Sequence, residues 1–376
     1  MAIISVKFMA FLAIISLLYF VMPKKIKWIV LLLGSYIYYF LSSSKLTIYL
    51  IITTISIYVS ALLINNIDNK TKIKCNGQEK SVKKQLNKKA AKNKKVVLIL
   101  TIILNFGILA FLKYGNFISE NISKLLNAIN ISYEIPLRKI VLPLGISYYT
   151  LQAISYVVDV YRGKYKAEKN FGKVALFLSF FPQMLEGPIG KFDELADQLY
   201  EPHEFDYTRV KFAAQLMLWG IFKKMVIADR AALYVNEVFS KYTEYSGIVI
   251  ILAVILYTVQ IYAEFSGCID IVRGIGQIFG VTMAENFRRP FFSKNIQEFW
   301  RRWHITLGAW LREYIFYPIS FSKACINLTT WSKKIFKGHI GKLIPAAFAL
   351  FFVWFGNGIW HGASWKYIFY GLYYYI

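Results

Sequence analysis

The chain has 376 residues, of which 57% are hydrophobic and 18% aromatic. A water-soluble domain of this length has no core large enough to bury so much apolar surface, so the composition excludes that class of protein. The formal net charge of +24 suggests a nucleic-acid partner at first sight. Much of it lies in one segment between two apolar runs, where lysines mark the cytoplasmic side of a membrane. We therefore expect no nucleic-acid partner.

Apolar segments long enough to cross a membrane recur along the chain. In the first half they are Val6–Met22, Trp28–Leu41, Leu46–Ile64, Val96–Leu112 and Ile140–Tyr161. Backbone groups in lipid must be hydrogen-bonded within the protein, and the alternating pattern of a barrel is absent, so we predict helices. Val6–Met22 lacks the basic leader and cleavage site of a signal peptide and is interpreted as a retained span. The predicted fold class is all-α, a polytopic transmembrane helical bundle.

Residues 66–95 form a predicted basic loop that is rich in lysine. Positive charge favours the cytoplasmic side of a membrane, and the basic residues near Lys24 and within Tyr161–Lys173 fall on that same side when the spans alternate. We therefore expect an extracellular amino terminus and a cytoplasmic loop at residues 66–95. Contact of this loop with anionic lipid headgroups is a second interpretation.

From Phe171 onward the apolar pattern becomes shorter. A brief apolar run is broken by Pro182 and Gly187. Such a segment predicts a re-entrant or buried half-helix that lines a polar cavity. Gln183 and Glu186 within it are candidate substrate-binding residues.

The second half contains two further clear spans, Val210–Ile227 and Gly247–Tyr262, whereas Ile269–Val281 is too short for a full span. The chain ends inside the apolar segment YIFYGLYYYI. A helix that stops within the bilayer leaves its last carbonyl groups unpaired in lipid. We therefore expect this sequence to be part of a longer protein.

The segment Glu298–Tyr314 is predicted to be one continuous helix with its tryptophans on one side. The residues on the opposite side are Arg301, His304, Gly308 and Arg312. One interpretation is an interfacial helix whose arginines meet lipid phosphates and whose tryptophans join an aromatic belt. The other is a polar site inside the protein, because buried ionisable residues in membrane proteins usually mark function.

The segment GIWHGASW places His361 at the end of an apolar run, next to Trp360 and before Trp365. It is either a structural histidine at a helix end or a catalytic base. Small residues predicted to let a substrate approach are Gly356, Asn357, Gly358 and Gly362. The two tryptophans are expected to exclude water, which would favour the neutral imidazole that takes a proton from a hydroxyl.

Other catalytic patterns are absent from the sequence, including a serine nucleophile elbow, a phosphate-binding glycine loop and HExxH. The glycines around Gly274 fit the packing of small residues between helices better than a nucleotide site. The three cysteines lack the spacing of a metal site or a disulfide framework. The sequence does not establish partners for Glu264 or Asp270.

Four segments are recognisable in this order: PLGISYYTLQAISYVVDVYRG, FFPQMLEGPIGKF, ENFRRPFFSKNIQEFWRRWHITLGAWLREYIFYPIS and GIWHGASW. Together they resemble the bacterial branch of the membrane-bound O-acyltransferase family. That branch includes alginate and peptidoglycan O-acetylases and the D-alanyl transfer protein for teichoic acids. We therefore divide the chain into amino-terminal transmembrane helices, residues 1–139, and a catalytic core that ends early, residues 140–376.

The resemblance implies acyl transfer from a thioester to a hydroxyl, within helices and re-entrant half-helices around a central tunnel. It maps the family's essential histidine onto His361 and a second polar position onto His304. By their chemistry, we expect His361 to act as the general base, and His304, or an arginine beside it, to orient the donor or stabilise the oxyanion. Candidate substrate-binding residues are Arg301, Arg302, Trp303, Asn357, Trp360, Glu186 and Gln183. The resemblance implies acetyl-coenzyme A or an acyl carrier protein as the donor substrate, and we expect no bound cofactor or metal.

We therefore predict an O-acyltransferase of the bacterial plasma membrane that acetylates a cell-envelope or secreted polysaccharide. The implied partner is an extracellular SGNH-type acetyltransferase. D-alanyl transfer to teichoic acid is the closest alternative and requires a cytoplasmic acyl carrier protein. Two other classes stay open: an exporter of polysaccharide or lipid, and an accessory membrane subunit that only docks a partner.

Overall fold

The computed structural model describes residues 3–131, 133–336 and 338–376. Regular structure in these residues is helical, and their β pairing consists of one isolated antiparallel bridge between Phe287 and Trp303. The prediction of an all-α fold is therefore confirmed.

Most helices of the described residues follow one another closely, whereas longer connections join α4 to α5 and α11 to α12. In chain order they are α1 (Val6–Val21), α2 (Lys27–Ser43), α3 (Thr47–Cys75), α4 (Lys80–Ala128), α5 (Ile146–Arg162), α6 (Phe171–Ser179), α7 (Phe181–Glu186), α8 (Phe192–Tyr200), α9 (Tyr207–Phe222), α10 (Asp229–Ser240), α11 (Gly247–Ile278), α12 (Ile296–Arg302), α13 (Ile305–Leu311), α14 (Tyr317–Ser320), α15 (Lys323–Ile335), α16 (Ile340–His361) and α17 (Trp365–Tyr375). Two π-helical turns, Lys223–Ala228 and Arg312–Phe316, join α9 to α10 and α13 to α14.

Four segments of the described chain are long and apolar enough to cross a membrane. They are Lys24–Cys75, which contains α2 and α3, Lys80–Ala128, Gly247–Ile278 and Ile340–His361. Large apolar side chains on these helices are exposed, as at Leu100, Ile103 and Ile255, which suits contact with lipid rather than water. The chain is a multi-pass membrane protein.

The chain forms two compact units. The first unit comprises Met1–Thr54 and Glu168–Thr306, and the second comprises Ile55–Ala167 and Leu307–Ile376. Two of the boundaries fall within α3 and α13, and the third falls between α5 and α6. The division by function into residues 1–139 and 140–376 stays a prediction.

In the first unit, the segment after Phe171 forms short buried helices, as predicted. Phe180 and Phe181, where α6 meets α7, have no exposed surface. The backbone N–H of Phe181 donates to Ser35 Oγ on α2 at 3.1 Å. Pro182 is tolerated at this position because the first turn of a helix leaves its own N–H groups unpaired.

The helix α11 of the first unit is continuous, whereas the sequence pattern predicted a span that ends at Tyr262 and a separate short segment. The polar residues that interrupt its apolar pattern have partners. Lys224 Nζ lies 3.3 Å from Glu264 Oε1, and Lys223 Nζ lies 2.6 Å from Asp270 Oδ2. The pair of Lys223 and Asp270 is largely buried and compensates its own charge, so the helix continues without a break. The prediction of two separate segments is wrong.

Small residues bring α9 close to α11 in the same unit. A side chain added at Gly274 would meet the Ala213 carbonyl oxygen at 2.7 Å, and one at Gly220 would meet the Ile271 nitrogen at 2.9 Å. Only glycine permits this approach of two backbones. The prediction that Gly274 serves helix packing is confirmed.

In the second unit, the predicted basic loop at residues 66–95 is instead a pair of helices. Lysine and alanine favour helix, and Lys94 Nζ of α4 lies 2.8 Å from Asp68 Oδ1 of α3. With its 49 residues, α4 is roughly 73 Å long, more than twice the ~30 Å hydrocarbon layer. The basic half of α4 therefore extends beyond the membrane as helix, and the prediction of a loop is wrong. Its cytoplasmic location stays a prediction.

Candidate active site

His361 is the last residue of α16, in the second unit. Three aromatic rings surround its imidazole. The ring centroids of Trp360, Tyr370 and Tyr367 lie 5.1, 5.5 and 6.4 Å from that of His361. The imidazole stays exposed beside them, and no described residue forms a hydrogen bond with its ring nitrogens. Both nitrogens are therefore available to a substrate.

Two side chains of α4 hold the end of α16. The Lys113 ammonium donates to the carbonyl oxygen of Trp360, and the Tyr114 hydroxyl donates to that of Ile359. The last carbonyl groups of a helix have no partner within the helix, and a cation there also interacts favourably with the helix dipole. These two contacts therefore fix the turn that carries His361.

An apolar cavity of about 450 Å³ adjoins this turn. Trp360 and Gly362, the two neighbours of His361 in the chain, line it together with Lys113. Further lining residues are Leu151, Leu307, Trp310, Leu311 and Ile315. The volume lies in the range of small-molecule sites in proteins, so the cavity is large enough for a substrate group.

The small residues near His361 serve two different purposes. Gly356 and Gly362 line the cavity, as expected for residues that admit a substrate. Gly358 instead packs against α17, where an added side chain would meet Gly371 Cα at 3.2 Å. For Gly358 the prediction of substrate access is therefore wrong, because a helix fills the space.

Two other predicted residues near this turn have partners elsewhere in the second unit. Asn357 is buried, and its side chain interacts with that of Tyr370. The indole nitrogen of Trp365 donates to Asn121 Oδ1 on α4 at 2.8 Å. That Trp365 excludes water from the histidine stays a prediction.

The segment Glu298–Tyr314, predicted as one helix, is interrupted at His304, which belongs to the first unit. The φ angle of His304 is 45°, in the left-handed region that few residues other than glycine adopt. The cause is a distant backbone segment, since the N–H of Ile305 donates to the carbonyl oxygen of Asn286 at 3.0 Å. The residues of this segment therefore share no single helical face, and the predicted basic arc is wrong.

The side chain of Asn286 connects His304 to the start of α13. Its Oδ1 accepts the backbone N–H of Thr306 at 3.0 Å, the Thr306 hydroxyl at 3.0 Å and His304 Nδ1 at 3.3 Å. A backbone N–H only donates, so this atom is the amide oxygen, and His304 carries a proton on Nδ1. The Phe265 ring packs against the imidazole with centroids 4.8 Å apart. These contacts hold His304, only 5% exposed, in one orientation.

Replacing Asn286 with leucine is expected to destabilise the protein, because the N–H and hydroxyl of Thr306 would lose their acceptor. A buried polar group without a partner costs about 1–3 kcal/mol. The measurement is the thermal unfolding midpoint of the purified full-length protein, followed by tryptophan fluorescence. Asn236→Leu, at an exposed position of the same unit, is the control. Equal midpoints for the two variants would contradict the role assigned to Asn286.

The predicted substrate-binding residues just before His304 differ in their surroundings. Arg301 is exposed, whereas Arg302 Nη2 lies 2.5 Å from Glu298 Oε1. The backbone N–H of Lys294, and then Arg302, hold the pKa of the Glu298 carboxyl below its usual value. Trp303 packs among phenylalanine rings. Of this group, Arg301 is the residue most open to a ligand.

Gln183 and Glu186 lie on α7 of the first unit. Gln183 is buried, and its Nε2 donates to the carbonyl oxygen of Pro188 at 3.3 Å. Ile189, which follows Pro188 in the chain, donates its backbone N–H to Thr306 Oγ1 at 3.1 Å. Gln183 therefore supports a turn that joins the network around Asn286, whereas Glu186 is exposed.

The sequence patterns missed Lys113, Tyr114 and Asn286. A lysine within an apolar run is a signal that points to Lys113, but nothing local marks the other two. His304 and His361 belong to different units. In the part of the chain that the structure describes, no three histidine, cysteine or acidic side chains are placed to hold a metal ion.

Residues 169–330 match the sequence model of the membrane-bound O-acyltransferase family. A protein of Pseudomonas syringae pv. tomato named "Probable alginate O-acetylase" is 34% identical over 276 residues, which cover 73% of this chain and 49% of that protein. A peptidoglycan O-acetyltransferase of Helicobacter pylori is 32% identical over 305 residues, covering 74% of this chain and 54% of that protein. A teichoic acid D-alanyltransferase of Bacillus subtilis is 29% identical over 237 residues, which cover 61% of this chain and 56% of that protein. The chain spans about half the length of the curated relatives it matches.

Proposed function

Because the chain belongs to the membrane-bound O-acyltransferase family, we propose that the protein transfers acetyl groups to hydroxyls of a cell-envelope or secreted polysaccharide. The observation that carries this proposal is the turn at His361. It presents an imidazole whose ring nitrogens have no hydrogen bond from the described residues, next to an apolar cavity of about 450 Å³.

In the proposed mechanism, His361 is the general base. Its neutral imidazole takes the proton of the acceptor hydroxyl while the hydroxyl oxygen bonds to the carbonyl carbon of the thioester. The carbon–sulfur bond then breaks, and the leaving thiolate takes the proton from the imidazolium. The products are an ester and a thiol. The apolar cavity favours this transfer by keeping away water, which is a competing acceptor.

For His304 we propose a role in orienting the donor or stabilising the oxyanion. Its ring is fixed by Asn286 and Phe265, and polar groups that are already oriented stabilise developing charge without reorganising. Arg301, which is exposed, and Trp360, which lines the apolar cavity, are the predicted substrate-binding residues whose surroundings best suit contact with a substrate.

We propose the bacterial plasma membrane as the location and acetyl-coenzyme A or an acyl carrier protein as the donor. An extracellular SGNH-type acetyltransferase suits acetyl transfer, and a cytoplasmic acyl carrier protein suits D-alanyl transfer. Acetyl is favoured because the matched relatives named for O-acetylation are 32% to 36% identical to this chain, whereas those named for D-alanyl transfer are 26% to 29% identical.

The test is made in the source cells with the full-length gene deleted and then restored. Alkali-labile acetyl and D-alanyl esters are quantified on purified envelope polymers. Loss of acetyl esters on deletion, with recovery on restoration, is the expected result. Loss of D-alanyl esters instead would identify the alternative acyl group. Unchanged content of both esters per polymer, with less polymer at the surface, would overturn the proposal in favour of an exporter.

A further inference from the structure

A polar cavity of about 240 Å³ lies within the first unit. It is lined by the π-helical turn after α9, by α11 and by the segment before α12. The charged side chains that line it are Lys223, Asp270, Arg273, Glu285, Arg288 and Arg289. Four basic and two acidic groups leave a surplus of two positive charges. The cavity is therefore suited to an anion.

The two carboxylates of this cavity already have cationic partners. Asp270 Oδ2 lies 2.6 Å from Lys223 Nζ, and its Oδ1 lies 3.7 Å from Arg273 Nη1. Glu285 Oε1 lies 3.6 Å from Arg273 Nη2, and its Oε2 lies 2.9 Å from Arg288 Nε. Both carboxylates are therefore engaged by Lys223, Arg273 and Arg288. They do not neutralise the fourth basic residue of the cavity.

That fourth basic residue is Arg289. Arg289 is exposed and is among the residues that line the cavity, and in the described residues no carboxylate lies within ion-pair distance of its guanidinium. Its backbone has a φ of 46°, in the left-handed region, and non-glycine residues held in this conformation are frequent at ligand sites. Arg289 therefore supplies one of the two surplus positive charges, from a backbone conformation that few residues other than glycine adopt.

Asn286 brings a second group without a partner to the same cavity. Its Oδ1 is used by Thr306 and His304. Its Nδ2 is buried and has no hydrogen-bond partner in the described residues, and the residue is 1% exposed. Buried amide groups in native proteins are nearly always paired, so a ligand oxygen in the cavity would satisfy this donor after a small local shift.

We propose that this cavity binds the phosphate group of an anionic ligand. A phosphate supplies negative charge and oxygens that accept hydrogen bonds from guanidinium and amide groups together. The proposal rests on the proposed function in one respect, because a thioester donor such as acetyl-coenzyme A carries phosphates, and Asn286 contacts both the cavity and His304. The phosphate of an anionic membrane lipid is the other source of the same chemistry.

The experiment compares the full-length protein with its Arg289→Gln and Arg230→Gln variants. Arg230 is an exposed arginine of the same unit that does not line the cavity. Coenzyme A without an acyl group is titrated against protein in phosphatidylcholine nanodiscs, with inorganic phosphate as competitor. Separately, native mass spectrometry measures how much phosphatidylglycerol the protein retains from mixed-lipid nanodiscs.

We expect Arg289→Gln to weaken either the binding of coenzyme A or the retention of phosphatidylglycerol about tenfold, because one charge-assisted pair is lost. Arg230→Gln should leave both interactions unchanged. Weaker binding of coenzyme A identifies the donor as the source, and weaker retention of phosphatidylglycerol identifies a lipid. Equal behaviour of the two variants, or no binding of either probe by the unaltered protein, would overturn the proposal. Neither assay needs acyl transfer, so failure here is distinct from failure of the proposed function.

Discussion

Replacing His361 with glutamine in the full-length protein is expected to lower ester formation on envelope polymers about 10²- to 10⁴-fold, the contribution of a positioned general base. Glutamine can form a hydrogen bond but cannot take up the hydroxyl proton. His361→Ala is expected to cause the same loss. The measurement is the rate of ester formation in cells whose protein levels are matched by immunoblotting.

The control for this prediction is His339→Gln, because His339 is exposed and has no role in the proposed mechanism. It should keep the activity of the unaltered protein. If both His361 variants also kept that activity, the general-base mechanism would be wrong. An exporter or a subunit that only docks a partner would then be the better description, and polymer amount at the surface would distinguish these two.

Replacing Asp270 with alanine is expected to cost about 3–5 kcal/mol of stability, since it leaves a buried charge without its counterion. Lys223 is 8% exposed, and its ammonium donates to Asp270 Oδ2 at 2.6 Å and to Ser266 Oγ at 3.0 Å. The hydroxyl alone cannot compensate the charge. The thermal unfolding midpoint of the purified protein and the abundance of the protein in membranes should both fall.

Two further variants separate this effect from a general sensitivity to substitution. Asp229→Ala removes an exposed pair with Lys224 and should cost at most about 1 kcal/mol. Combining Lys223→Met with Asp270→Leu should recover most of the loss, because an apolar pair of similar volume often replaces a buried ion pair without penalty. If the thermal unfolding midpoint of Asp270→Ala were as high as that of Asp229→Ala, the prediction would be wrong.

The membrane-spanning character of the chain was predictable because it depends on local composition. An apolar run of sufficient length has one stable form in lipid, a helix with its backbone groups paired. For this reason α2, predicted as Trp28–Leu41, is found at Lys27–Ser43. The buried half-helices after Phe171 were predictable as well, since proline and glycine limit helix length locally.

Polarity along a helix proved a poor guide to where that helix ends. Charged residues were taken as the end of a span at Tyr262 and as a loop at residues 66–95, and helix is present in both places. In α11 the charges are paired across helices, and in α4 they lie beyond the length that lipid can cover. Neither circumstance is visible in a local hydropathy pattern.

By itself, the sequence determined that the chain is helical, crosses the membrane and places His361 at the end of an apolar helix. These features depend on residues close together in the chain, where periodicity and composition act. Only the tertiary structure decided that His304 stands at a helix break and that Asn286 holds its ring. It also decided that Lys113 caps the turn of His361. Those contacts join residues that are 18 or more positions apart, and such pairings are selected by packing, which no local pattern encodes.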